Sequence, residues 1–338
     1  MTRIAILGAG SWGTALSVVL SRARKPHEIA LWVHNAELAE ALQRRRENTV
    51  YLPGVPLPAG IRATHDLLAA LAAAQIVIGV MPSVHARAVY SRALPCVTPE
   101  MIFVSATKGL EPATHLRMSQ VLAQVLAKSG AVETSQRIAV LSGPSFAAEA
   151  ARGEPTAVAL AAQDAALASL LQEELSGPSF RLYTNDDVLG VELAGAIKNV
   201  MAIAAGACQG LGLGSNPLAA LITRGLAEMA RLAVALGARP ETLSGLAGLG
   251  DLVLTCTGAL SRNRHVGIEF GKGRKLPEIL AGMRMVAEGV DTTAPLLALA
   301  REHEIEMPIT EQVDAILHKG KSPRDAIREI MDRPLKRE

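Results

Sequence analysis

One lysine invites a chemical reading. Residues 193–207 run through Ala, Gly, Leu, Ile, Val, Met and a single Asn, with one charged side chain, Lys198. An ammonium among apolar neighbours is costly to bury unless it is paired or gives up its proton. A desolvated lysine with a lowered pKa can act as a general acid or base. The plain alternative is a side chain that snorkels out to water. Asn199 beside it either orients a partner or faces solvent.

Three other constellations carry chemistry. Gly245-Leu246-Ala247-Gly248-Leu249-Gly250-Asp251 puts three glycines in six residues before a carboxylate, with Thr255, Cys256 and Thr257 following. That is a close-approach loop ending in either a functional acid or a helix N-cap. Ser261-Arg262-Asn263 opens a predicted helix. Ser261 is a good cap, and a helix start bearing Arg262 and Asn263 is a natural phosphate receptor or, equally, a solvated turn. His265 reads as a surface residue. Lys108, in Ser105-Ala106-Thr107-Lys108-Gly109, and Ser142-Gly143-Pro144-Ser145-Phe146-Ala147 each follow a predicted strand. In an open parallel sheet ligands sit at those carboxyl ends.

A fourth motif, Gly8-Ala9-Gly10-Ser11-Trp12-Gly13, is a GxGxxG between a strand and a helix. Gly8 permits the tight turn, Gly10 lets backbone approach a pyrophosphate, and Gly13 lets helix pack on strand. The helix start offers amides and positive dipole to the diphosphate. After the second predicted strand stands Val33-His34-Asn35, with no carboxylate before Glu37 and with Arg44-Arg45-Arg46 nearby. A carboxylate there would repel a 2′-phosphate, so NADP(H) is tolerated; the arginine run is also readable as a solvated helix face.

These motifs need elements to hold them. Short β-branched runs at 3–7, 28–33, 75–81, 101–106, 137–141, 156–161 and 180–184 alternate with helical stretches such as 14–24 and 36–46. Strands separated by helices predict βαβ units and a parallel sheet covered on both faces. Beyond residue 186 only helices are expected, at 188–207, 217–236, 264–270, 292–302, 310–317 and 323–331. The expected fold class is α/β: an N-terminal Rossmann-type parallel-sheet domain, 1–188, followed by an all-α C-terminal domain, 189–338. The tail Lys336-Arg337-Glu338 is expected to be a frayed, solvated end.

Composition agrees. A chain of 338 residues suits two domains. Its 34 basic and 32 acidic residues leave a net charge of +2, no footprint for nucleic acid. Aromatics are only 3%, so the core must be built from Ala, Leu, Val and Ile. Cys96, Cys208 and Cys256 are an odd set without zinc spacing; free, buried thiols, a reducing cytoplasmic compartment and no metal are expected. No targeting segment or membrane span is expected either.

Taken together, the motifs resemble those of bacterial NAD(P)-dependent glycerol-3-phosphate dehydrogenases over nearly the whole chain. The resemblance is carried by Gly8-to-Gly13 with Thr14-Ala15, Asn48-Thr49-Val50-Tyr51-Leu52-Pro53, Ala106-Thr107-Lys108-Gly109 and Leu141 through Ala147. Ala196-Ile197-Lys198-Asn199-Val200, Gly248-Leu249-Gly250-Asp251-Leu252, Ser261-Arg262-Asn263 and Ala287-Glu288-Gly289 complete it. It implies that Lys198 is the proton donor and acceptor. It implies substrate contacts for Lys108, Gly143, Ser145, Asp251, Ser261, Arg262 and Asn263. Cofactor contacts are implied for Ser11, Trp12, Lys108, Ala147, Arg262, Val286 and Glu288, with His34 towards the adenosine end. Dihydroxyacetone phosphate and glycerol 3-phosphate are the implied substrates, NADP(H) or NAD(H) the cofactor and phospholipid synthesis the destination. A homodimer is the default assembly. A β-hydroxyacid or 6-phosphogluconate-type dehydrogenase, or a non-catalytic dinucleotide sensor, are the alternatives.

Overall fold

The computed structural model describes residues 1–129, 137–335 and 337. Lys336 and Glu338 of the expected solvated tail lie outside the described residues.

The strands are β1 (Thr2–Leu7), β2 (His27–Trp32), β3 (Glu47–Asn48), β4 (Leu52–Pro56), β5 (Ile61–Thr64), β6 (Ile76–Gly79), β7 (Ile102–Ser105), β8 (Ile138–Ser142), β9 (Thr156–Ala162) and β10 (Phe180–Asn185). Eight make one sheet in the order β10-β9-β8-β7-β6-β1-β2-β5, while β3 and β4 form a separate hairpin. Central strands such as Ile76–Gly79 and Ile102–Ser105 are apolar throughout or nearly so and buried along their length, because helices cover both faces. Six strands are parallel. β9 runs antiparallel to β8 and pairs in parallel with β10, a reversal that alternation of strand and helix does not announce. β5 and the β3–β4 hairpin were not foreseen: each has only two to five residues, and turn residues or polar side chains interrupt them.

The helices of this part are α1 (Ser11–Leu20), α2 (Ala36–Arg45), α3 (Leu67–Leu71), α4 (Ser83–Ala93), α5 (Met118–Leu126), α6 (Ala147–Arg152) and α7 (Ala165–Leu175). The chain leaves β1 on one side for β2 and returns on the other to β6, so the topological switch lies between β1 and β6. That is where an open α/β sheet presents its ligand crevice.

From residue 188 onward the described chain forms α8 (Val188–Gly210), α9 (Ser215–Ala235), α10 (Pro240–Ser244), α11 (Asp251–Thr257), α12 (Arg262–Gly271), α13 (Leu276–Ala281), α14 (Glu288–Glu302), α15 (Pro308–His318) and α16 (Pro323–Met331), with a π-helical turn at Leu246–Gly250. α8 is the axis of this region. It is long and apolar enough to cross a membrane, yet nearly all of it is buried, as the core helix of a bundle would be. Its docking to the sheet is polar: buried Glu192 accepts from Arg117 Nη1 at 2.6 Å, from the Ser119 amide at 2.7 Å and from the Ser119 hydroxyl at 2.6 Å.

Against α12 the docking is steric. Gly206 and Gly210 of α8 face Gly267 and Gly271 of α12. A Cβ on Gly206, Gly210 or Gly267 would overlap the carbonyl oxygen of Arg264, Ile268 or Ile203 respectively, and one on Gly271 would lie 2.6 Å from Gly210 Cα. Backbone-to-backbone contact of this kind leaves no slack between the helix that carries Lys198 and the helix that starts at Arg262. Of the thiols only Cys256 is buried; Cys96 and Cys208, expected buried, are half-exposed, one at the end of the 3-10 turn that follows α4 and one near the end of α8. Because backbone cannot move aside as a flexible side chain can, Gly267→Ala is expected to lower stability by about 1–3 kcal/mol or more in urea unfolding. An unchanged midpoint would show that the crossing has room.

Candidate active site

α8 places Lys198 inside, not at the surface: the residue is 6% exposed, and the snorkelling alternative fails. Its ammonium donates to Thr255 Oγ1 at 2.7 Å and to Asp251 Oδ1 at 3.2 Å. The Thr255 hydroxyl donates to the Asp251 carbonyl at 2.6 Å, which turns its lone pairs to the lysine. Thr255 was noticed without a role; its spacing of four from Asp251 on one helix was the available signal. Asp251 is the first residue of α11 behind Gly250, so it is not the cap. Its other oxygen, Oδ2, accepts from Lys108 Nζ at 2.6 Å, and Lys108 also donates to the Gly143 carbonyl at 3.0 Å. One buried carboxylate therefore holds two ammonium groups, one from the loop after β7 and one from α8.

The electrostatics follow. Burial pulls the Lys198 ammonium down to a pKa of about 8; Asp251 resists the fall and Lys108 adds to it. The Asp251 carboxyl is itself buried, which favours its neutral form, but the two ammonium groups outweigh burial and hold it below the ordinary carboxylate range. Lys198 can thus exchange a proton near neutral pH while Asp251 stays ionised.

The loop after β8 forms one wall. Gly143 has φ +148°, and a Cβ there would sit 2.9 Å from Val158 Cα on β9. The Ser145 hydroxyl donates to the Gly143 carbonyl at 2.9 Å. α12 forms another wall. Ser261 caps it, accepting from the Arg264 amide at 3.2 Å. Asn263 Nδ2 donates to Asn199 Oδ1 at 2.9 Å and its Oδ1 accepts from the Gly289 amide at 2.9 Å, so Asn199 does orient a partner. His265 is exposed, as expected. Arg262 is half-buried and makes no hydrogen bond or ion pair to any described residue; burial pulls its guanidinium below its usual range, and Glu288 opposes this. A partly desolvated, unpaired guanidinium calls for an anion.

The dinucleotide motif has the shape such a group needs. Gly8 has φ +120°, and a Cβ on Gly13 would overlap the Gly8 carbonyl oxygen. Around a Cβ on Gly10, in contrast, there is nothing within 4 Å: open space faces the start of α1. α1 has no side-chain cap, so its first amides are not satisfied that way. Trp12 leans on Phe180 with ring centroids 6.5 Å apart. Ala147 begins α6, packed against the same core as Trp12. His34 is exposed beyond β2, edge-on to Trp32. Val286 is exposed just before α14, and Glu288 opens that helix. Arg44 and Arg45 lie on a solvated face, whereas Arg46 donates to the Pro58 and Leu57 carbonyls. Two concavities lie elsewhere: one of about 400 Å³ behind the π-turn, lined by Arg239 and Thr242, and one of about 540 Å³ at the far ends of β6 and β7.

Comparison with known proteins gives one answer. The family described as NAD-dependent glycerol-3-phosphate dehydrogenase matches through its N-terminal part over residues 3–168 and its C-terminal part over residues 187–328. A glycerol-3-phosphate dehydrogenase (NAD(P)+) of Koribacter versatilis is 56% identical over 99% of this chain and 98% of its own length. That of Acidobacterium capsulatum is 55% identical over 99% of each. A crystal structure of glycerol-3-phosphate dehydrogenase from Coxiella burnetii superposes with TM-score 0.92 at 43% identity, covering 98% of this chain and 99% of that one.

Asp251→Asn is expected to move the Lys198 midpoint below about 8, since it removes the charge that resists the fall. The pH dependence of Lys198 labelling by an amine-reactive reagent, read peptide by peptide in a mass spectrometer, checks this. A midpoint that stays or rises shows that Asp251 does not control the ammonium.

Proposed function

The chain belongs to the NAD-dependent glycerol-3-phosphate dehydrogenase family, and on that footing we propose how its own residues divide the reaction among them. The enzyme transfers a hydride reversibly between NAD(P)H and dihydroxyacetone phosphate, giving glycerol 3-phosphate for glycerophospholipid synthesis. The hydroxyacid, 6-phosphogluconate and sensor alternatives fall with that membership. In this reading residues 1–188 are the dinucleotide-binding domain and 189–338 the substrate domain.

Lys198 is the acid and base. In reduction its ammonium stabilises charge developing on the ketone oxygen and then delivers the proton; in oxidation the neutral amine takes the hydroxyl proton. The bound nicotinamide supplies or receives the hydride. Asp251 keeps the ammonium in place and Lys108 adds a second cation beside it. Arg262 takes the phosphate remote from the reacting carbon, so that phosphate binding orients the ketone. Gly143, Ser145, Ser261 and Asn263 line the same space. Gly8, Gly10, Ser11, Trp12 and Gly13 receive the dinucleotide, with Ala147, Val286, Glu288, Lys108 and Arg262 around its reactive end and His34 near its adenosine. The observation that carries this reading is the coexistence of a buried lysine poised near neutrality and a desolvated guanidinium without a partner. A cytoplasmic homodimer acting on a soluble substrate, without nucleic-acid or membrane contact, fits the same reading.

The first test is loss of reduced-nicotinamide absorbance with dihydroxyacetone phosphate. Lys198→Ala is expected to lose roughly 10²- to 10⁴-fold or more in kcat while still binding cofactor; normal turnover removes the assignment. Arg262→Ala is expected to raise the KM for the phosphorylated substrate by roughly 10- to 100-fold, and an unchanged KM places the phosphate elsewhere.

The pH profiles should be opposite in sign. Reduction needs protonated Lys198 in the free enzyme, so kcat/KM should hold below about pH 8 and fall above it. Oxidation needs the neutral amine, so kcat/KM should climb through about pH 8 and level off above it. Profiles of the same sign in both directions would exclude Lys198 as the exchanging group.

A further inference from the structure

Across the crevice from the GxGxxG loop lies a contact that the reaction as described does not use. Glu288, the first residue of α14, reaches Ser83, the first residue of α4. The Ser83 hydroxyl donates to Glu288 Oε2 at 2.8 Å and the Ser83 amide donates to Oε1 at 3.3 Å. Ser83 itself is buried at the carboxyl end of β6, and β6 is the sheet neighbour of β1, whose own end carries Gly8. The pair therefore stands beside the topological switch point, on its β6 side. Gly109 packs on the same spot: a Cβ there would fall 2.9 Å from Ser83 Oγ and 3.0 Å from Glu288 Oε2. The start of α14 is thus pinned twice, from the sheet side by Ser83 and from α12 through the Asn263–Gly289 hydrogen bond.

We propose that Ser83 is a positioning residue for the cofactor end of the site: with its hydroxyl and amide it holds the Glu288 carboxylate, and with it the start of α14 and Val286, in the geometry that receives the nicotinamide nucleotide. This rests on the assignment of Glu288 and Val286 to the cofactor made above. Both Ser83 donors bond the ionised carboxyl, so the clasp depends on the charge of Glu288. Burial pushes that carboxyl up to about 7, while the Ser83 donors and Arg262 hold it back. The charged neighbours are few. Arg262 faces it from α12 and Asp291 from its own helix, and Asp291 is in turn faced by His85 of α4 and His318 of α15. A fall in pH through about 7 protonates Glu288 and weakens the clasp. Loss of the Ser83 hydroxyl removes a bond to the charged form, so that midpoint should rise.

The test uses the full chain, with NADPH binding followed by tryptophan fluorescence and KM and kcat measured from pH 6 to 9. Ser83→Ala is expected to raise the Kd and KM for NADPH about tenfold at pH 8, with a much smaller change in kcat, and to move the pH at which binding weakens upward. Ser83→Thr, which keeps the hydroxyl, should restore both, and Glu288→Gln should flatten the pH dependence. A purely structural contact would lower thermal stability without splitting KM from kcat or moving the midpoint. NADPH binding in Ser83→Ala within twofold of wild type, or a Ser83→Thr variant as weak as Ser83→Ala, overturns the proposal while leaving the assignment of function intact. A wild-type chain that binds neither NADPH nor NADH would remove both.

Discussion

Everything in the site depends on one buried negative charge. A lysine among aliphatic side chains at the centre of a helical bundle cannot keep its proton without a partner, and Asp251 is the carboxylate that Lys198 touches. Asp251 is itself buried, which favours its neutral form. The ammonium of Lys198 and a second one, from Lys108 in the sheet region, together outweigh burial and hold the carboxyl below its ordinary range. The cluster is therefore complete only when the sheet region and the helical region are docked. Proton exchange at Lys198 is a property of the assembled interface rather than of either half.

That dependence explains the care with which α8 is held. Its sheet-facing side is fixed by the Glu192 carboxylate on Arg117 and Ser119, and Gly195 lets it pass close to Ser142 and the Lys108 stem. Its other side is fixed by the glycine crossing with α12. A longer side chain at any of those crossing positions would separate Lys198 from Asn263 and Arg262, which share the start of α12. The distance between Lys198 and the start of α12 is thus set by backbone contact, the least deformable kind of packing available.

Much of this was legible in the sequence because the chemistry demanded unusual neighbours. A lone lysine in an apolar helix, a carboxylate after three closely spaced glycines and an arginine at a helix start are each exceptions to local rules, and exceptions of that kind gather at functional sites. The sheet was legible for the same reason that its strands are buried on both faces. What could not be read were features made by long-range pairing. The antiparallel entry of β9 depends on which edge is free when the chain returns, and the short edge strand β5 has too few apolar residues to mark itself. Thr255, Ser83 and Glu192 are unremarkable by type and acquire roles from residues 57 to 205 positions away. The alternatives left open for Lys198 and Asp251 were likewise settled by burial and by partners, neither of which has a one-dimensional signature.

The cofactor's adenosine end shows what the fold leaves unspecified. At the end of β2 no carboxylate stands where it would bind a ribose 2′-hydroxyl and repel a 2′-phosphate. Asn35, the polar residue best placed to discriminate, is already the cap of α2, accepting from the Leu38 amide at 2.7 Å. Arg46, the one member of the arginine run that turns inward, is tied to main-chain carbonyls, and Arg44 and Arg45 stay on the solvated last turn of α2. His34 alone remains beside this position, exposed and without a hydrogen bond among the described residues. Among the described residues neither a built repulsion against the 2′-phosphate nor a built clamp for it is present, which is the arrangement expected of an enzyme that accepts both nicotinamide dinucleotides. On the proposed assignment, selectivity is carried instead at the other end of the cleft, where Arg262, Lys108 and Lys198 would meet the phosphate and the ketone.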